Sequence, residues 1–120
     1  MNRVEHAIKQ IESEKGITFP PLYRKFLAEE IKDNEVYEIL AINQCHVCFY
    51  SASDLPERNE TYQIQNDAPH YFLIGQDGDI GYFIRVESNH ESDEIVSADL
   101  GALGSIAMDI EASDIYTFRG

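Results

Sequence analysis

The chain has 120 residues, 43% hydrophobic and 26% charged, with a formal net charge of −13. That length fits one domain over residues 1–120, able to bury a core without metal or disulfide staples, and seven Tyr and six Phe argue against a disordered chain. Residues 1–32 are near neutral, whereas residues 33–120 hold three cations (Arg58, Arg85, Arg119) against 17 carboxylates, net −14; such a surface repels phosphate backbones, which argues against nucleic-acid binding, and no apolar stretch is long enough to cross a bilayer.

Taken in chain order, Asn2 to Lys15 reads as a helix. Asn2 is placed to cap it, Val4, Ile8 and Ile11 form one apolar stripe, and Gly16 stops it. Pro20-Pro21 opens a second helix, with Leu22, Phe26 and Leu27 as its apolar face and its end between Ile31 and Asp33. The hydrophobic period then changes to two. Val36–Leu40 and Cys45–Tyr50 read as strands, and Ser51–Gln65 as a polar irregular segment with a turn or short helix start at Ser53–Pro56. Tyr71–Ile74 suits a central strand, Gly75–Gly81 a turn, and Tyr82–Val86 a strand with Tyr82, Ile84 and Val86 on one face. Glu87–Asp93 is a polar turn and Ile95–Ala98 a further strand. The tail from Asp99 to Gly120 has apolar anchors but no clean period. Two helices followed by tightly connected strands predict an α+β fold: a mostly antiparallel sheet of four to six strands with the N-terminal helices packed on one face.

Several motifs suggest chemistry and fall short of it. Cys45-His46-Val47-Cys48 is a single pair, whereas a structural zinc site takes four ligands, and the pair lies in a strand pattern rather than at a helix start. The expectation is one buried thiol, one nearer the surface, and no metal. Asp77-Gly78-Asp79-Ile80-Gly81 resembles the start of a calcium loop, but Ser88 stands where the bidentate Glu belongs, so a turn is expected. No nucleophile elbow or phosphate-binding loop is present, and no cofactor is expected. The amphipathic N-terminus lacks the apolar core of a secretory signal, which gives a cytoplasmic location as the expectation.

Three segments together carry a likeness. They are Ile17-Thr18-Phe19-Pro20-Pro21-Leu22-Tyr23-Arg24-Lys25-Phe26-Leu27, Phe72-Leu73-Ile74-Gly75-Gln76-Asp77-Gly78-Asp79-Ile80-Gly81-Tyr82, and Ile95-Val96-Ser97-Ala98-Asp99-Leu100-Gly101. In this order they resemble the SUKH superfamily, which includes a yeast cell-wall-assembly regulator and many bacterial immunity proteins. The chain departs from the family pattern in having Asp33-Asn34-Glu35 where an Asn-Gly-Gly turn is usual, and in lacking Trp.

The resemblance implies an α+β domain without enzyme activity that binds and neutralises a cognate toxin, often a nuclease. Basic nuclease surfaces would attract an acidic partner, in agreement with the charge asymmetry. The candidate partner-binding residues are Asp54, Glu57, Glu60, Asp77, Asp79, Glu87, Glu91, Asp93 and Glu94, with Tyr62 and Tyr82 as aromatic anchors. The partner is then a protein toxin or another basic protein. The competing readings are a regulatory or scaffold domain of the same fold, and a small hydrolase or metal-dependent enzyme.

Overall fold

The computed structural model describes residues 3–34, 37–86, 92–105 and 107–120. Helix α1 spans Arg3–Lys15 and buries the stripe Val4, Ile8 and Ile11; Gly16 ends it at φ +64°. From the last turn of α1, Glu12 reaches forward. One of its carboxylate oxygens accepts from the Phe19 N–H at 2.9 Å, and the other pairs with Arg24 at 3.4 Å. The carboxylate thus fixes the angle between α1 and α2 (Pro21–Phe26), which continues as one π-helical turn over Leu27–Ile31.

Helix α2 starts at a proline and has no side-chain cap of its own. Its cap comes from 71 residues away: Asp93 Oδ1 accepts from the Leu22 N–H at 2.9 Å. A carboxylate there satisfies one of the orphan donors of the first turn and suits the helix dipole.

Among the described residues six strands form one antiparallel meander: β1 (Tyr37–Leu40), β2 (His46–Phe49), β3 (Tyr71–Asp77), β4 (Ile80–Arg85), β5 (Ile95–Asp99) and β6 (Asp109–Ala112). Alternation assigns the two faces. Val47, Phe49, Phe72, Ile74, Tyr82 and Ile84 point to the side covered by α1, α2 and the C-terminal helix α5 (Ile115–Arg119). Phe26 is the hub of this layer, edge-to-face with Tyr37, Phe49 and Tyr116 at 5.5 to 5.7 Å. Leu73, Phe83, Val96 and Ala98 point the other way, onto a smaller core.

The smaller core is covered by α4 (Ile64–Asp67), through Ile64, and by the segment following β5, through Leu100 and Leu103. The expectation of helices on one face therefore describes the N-terminal helices, while a short helix and a 3₁₀ turn over Leu100–Ala102 close part of the opposite face.

Helix α3 (Leu55–Thr61) holds this second layer in place through a buried asparagine. The Asn59 amide donates to the Leu55 and Leu73 carbonyls, and its oxygen accepts from the Leu73 N–H at 2.8 Å and from Gln65 at 3.1 Å. Every hydrogen-bonding position is used, so the polar group is buried without penalty.

The expected Gly75–Gly81 turn is shorter than the glycine spacing suggests. Asp77 pairs with Ile80, which leaves a two-residue hairpin at Gly78-Asp79 with Gly78 at φ +58°. Gly75 and Gly81 lie inside strands, where the reason for glycine is space. A Cβ at Gly75 would come within 2.8 Å of the Phe49 ring, and one at Gly81 within 2.8 Å of Leu100 and Phe83.

Candidate functional site

The candidate residues separate into two groups. Tyr62, which follows α3, lies against the β3–β4 hairpin that carries Asp77 and Asp79 and is joined to it through Gln76, while Glu57 lies in the first turn of α3. Gln76, which the register shift between Leu73 and Gly75 turns to this face, ties the hairpin to Tyr62. Its amide donates to the Gly78 carbonyl at 2.8 Å and reaches the Tyr62 hydroxyl at 3.5 Å, and its oxygen accepts from the Tyr50 hydroxyl. Arg58 pairs with Glu57 at 2.8 Å, and its positive charge acts on Tyr50 and Tyr62. Burial holds the Tyr50 hydroxyl protonated well above the usual tyrosine range, only partly offset by Arg58. It therefore acts as a neutral donor.

Around this polar centre Tyr62 is 37% exposed, Glu57 and Asp79 are exposed, and Asp77 is half-buried. The hairpin is braced from behind, because the Asp79 carbonyl accepts from the Leu100 N–H at 2.8 Å. The result is an aromatic and amide floor with a carboxylate rim on a braced support, a surface that offers acceptors and negative charge to a partner. Tyr50, Arg58 and Gln76 are not among the sequence-derived candidates. No local pattern carries the signal for Gln76: alternation from Phe72 and Ile74 would turn it to the helix-backed side, and the register shift between Leu73 and Gly75 brings it opposite Cys48 instead.

Asp54 sits at the start of α3, where it accepts from Ser51 Oγ at 3.2 Å. Glu60 is exposed on α3 and lines a shallow polar recess with Lys15 and Gln63. Asp93 is the cap of α2 and lies away from the hairpin, and half-buried Glu94 lies beside it at the start of β5. Glu87 and Glu91 lie outside the described residues.

Tyr82 corrects the expectation of a surface anchor. It is 1% exposed, on the helix-backed side, stacked at 5.2 Å against Phe118. The alternation that groups Tyr82 with Ile84 and Val86 already puts all three in the core, and a sealed ring offers no contact area to a partner. Its hydroxyl accepts from Asn43 at 3.1 Å, Asn43 also donates to Glu111, and Ser97 donates to Glu111 at 2.6 Å. Burial pushes the Tyr82 pKa up to about 12.

The two cysteines are free, and both are half-buried. Cys45 precedes β2 rather than lying in it and packs on the larger core; Cys48 lies opposite Glu38 and Gln76. Among the described residues no three His, Cys, Asp or Glu side chains converge as metal ligands. Among them, too, no helix is long and apolar enough to cross a membrane.

An antiparallel meander backed by helices defines an α+β domain. Residues 5–117 match the SMI1 / KNR4 family (SUKH-1), and the chain belongs to that family. Membership supports an immunity-protein or Smi1/Knr4-like role in general, in a family generally known for non-catalytic immunity proteins that bind toxins. No curated protein matches the chain.

Proposed function

We propose that this protein is an immunity protein that acts in the cytoplasm by binding and neutralising a cognate basic toxin of the nuclease type, without catalysis and without a cofactor. The observations that support this reading are the net charge of −14 over residues 33–120 and the hydrogen-bonded Tyr50–Gln76–Tyr62 centre beside the hairpin that carries Asp77 and Asp79. Negative charge on a rigid support attracts the phosphate-binding surface of a nuclease and speeds encounter. Tyr62 and Tyr50 supply the amphipathic contact area that concentrates binding energy in interfaces. Free, half-buried thiols agree with a reducing compartment.

The test is co-expression with the toxin-like product of a neighbouring reading frame. Cells should survive only when this chain is present, and the two proteins should co-purify. Survival should be lost for the triple variant Glu57→Gln, Asp77→Asn, Asp79→Asn, provided that variant still folds. Protection without a stable complex would instead favour an enzymatic or regulatory role.

A further inference from the structure

A second concave surface lies on the same open face, at the far end of β3 from the acidic hairpin. Tyr71 and Asp77 mark the two ends of that strand, roughly 20 Å apart at about 3.3 Å per residue. Here a cleft of about 440 Å³ crosses β3, β5 and β6. Its apolar lining is Ala68, Tyr71, Val96, Met108 and Ile110, and its carboxylates are Asp67 and Glu94. Among the described residues no Lys or Arg lines it.

Three observations point to an occupant. Ile110 is 69% exposed, the most open of the large aliphatic side chains among the described residues, and it continues the apolar floor outward from its paired neighbour Val96. An apolar surface that is concave and rimmed by polar groups marks a binding groove more often than scattered exposure does. Among the described residues that line the cleft, the charged side chains are the carboxylates Asp67 and Glu94 beside His70, with Arg85 outside the lining on the neighbouring strand opposite Tyr71, so the group complementary to the lining is cationic.

We infer that this cleft is a second docking site, for a partner-protein segment that places one aliphatic side chain over Val96 and Ile110, with Lys or Arg on either side meeting Asp67 and Glu94. The site is separate from the acidic hairpin and does not depend on which toxin is bound. Together the two surfaces would let the chain grip a basic partner at both ends of the open face, with α4 and the Leu100–Leu103 segment between them.

The probe is a short amidated peptide carrying one leucine between two arginines, titrated into the labelled full chain while backbone amide shifts are followed by NMR. Two control peptides replace the arginines by glutamate or the leucine by serine. The expected result is saturable shifts centred on residues 67–71, 94–96 and 108–110, with the glutamate peptide inactive. The serine peptide should bind about tenfold more weakly, the loss expected for most of one buried aliphatic side chain. Ile110→Ser should give a similar loss, and Asp67→Asn with Glu94→Gln a several-fold loss that shrinks at high salt, both with an unchanged melting temperature. Shifts centred on residues 57–62 and 76–80, no shifts at millimolar peptide, or equal binding of the leucine and serine peptides would each overturn the site. The peptide titration is independent of any toxin. A chain that binds the peptide here but captures no basic toxin would sink the immunity reading and leave the cleft standing.

Discussion

The two faces of the sheet are built from the same strands and put to different uses. The helix-backed face is closed by α1, α2 and α5, and most of its aromatic contacts are edge to face within a buried core. The opposite face is closed only in the middle, by α4 and the Leu100–Leu103 segment, and open at both ends. At one end lie the carboxylates and tyrosines around Gln76, at the other the cleft around Ile110. The charge follows the same division: the chain up to residue 32 is near neutral, and the rest carries −14. The larger core lies on one face, and the other carries a smaller core that leaves part of its surface uncovered.

The comparison predicts unequal responses to mutation. Phe26→Ala should destabilise by about 3–5 kcal/mol, because it removes a fully buried ring from the centre of the closed face. Tyr62→Ala, on the open face, should cost under about 1 kcal/mol in a chemical-denaturation series while weakening partner capture. Equal stability losses would mean the open face also carries the fold.

Glycines sharpen the same point. Gly75→Ala should cost roughly 1–3 kcal/mol, since the added methyl meets the Phe49 ring and the Cys48 carbonyl inside the core. Gly78→Ala, in open solvent space, should cost about 1 kcal/mol from its positive φ alone. A Gly75 variant milder than the Gly78 variant would show that the strand has room the structure denies it.

Alkaline pH probes the closed face directly. Tyr23 and Tyr82 are buried, and burial raises both hydroxyl pKa values, Tyr82 to about 12. A raised tyrosine pKa leaves stability intact below the unfolded value near 10 and removes it above, because only the unfolded chain then loses its protons. Each tyrosine should lower stability by about 1.4 kcal/mol per pH unit above roughly pH 10. Denaturation curves flat from pH 9 to 11.5 would contradict the burial of these hydroxyls. The smallest expected effect is Asp77→Asn with Asp79→Asn, which should change stability by under about 0.5 kcal/mol, or raise it slightly by easing repulsion.

Much of the architecture was legible in the sequence, for identifiable reasons. The stripe Val4, Ile8, Ile11 and the alternation Tyr82, Ile84, Val86 each have one strong period, and both appear where expected. The tail was not legible, because β6 is four residues long and α5 is five, so each shows its period at most once or twice and no pattern can build up. Helix α3 was partly hidden for a similar reason: its buried face includes Asn59, a polar residue whose partners lie on β3. The site was half legible. Acidic composition pointed to Glu57, Asp77 and Asp79, but no local pattern shows that Gln76 ties the hairpin to Tyr62 or that Asp93 caps a helix 71 residues away. Composition ranks carboxylates as equal, and tertiary contacts distinguish the structural one from the exposed ones.

The most direct test of the central claim is the salt dependence of association. The rate at which the chain binds its basic toxin should be measured by stopped flow between about 0.05 and 0.5 M salt, a range over which the Debye length falls from roughly 14 Å to about 4 Å. The account predicts that the rate falls steeply for the native chain, and much less for the variant with Glu57→Gln, Asp77→Asn and Asp79→Asn. A rate that is flat across the range, or equally salt-sensitive in both proteins, would contradict capture through the acidic hairpin.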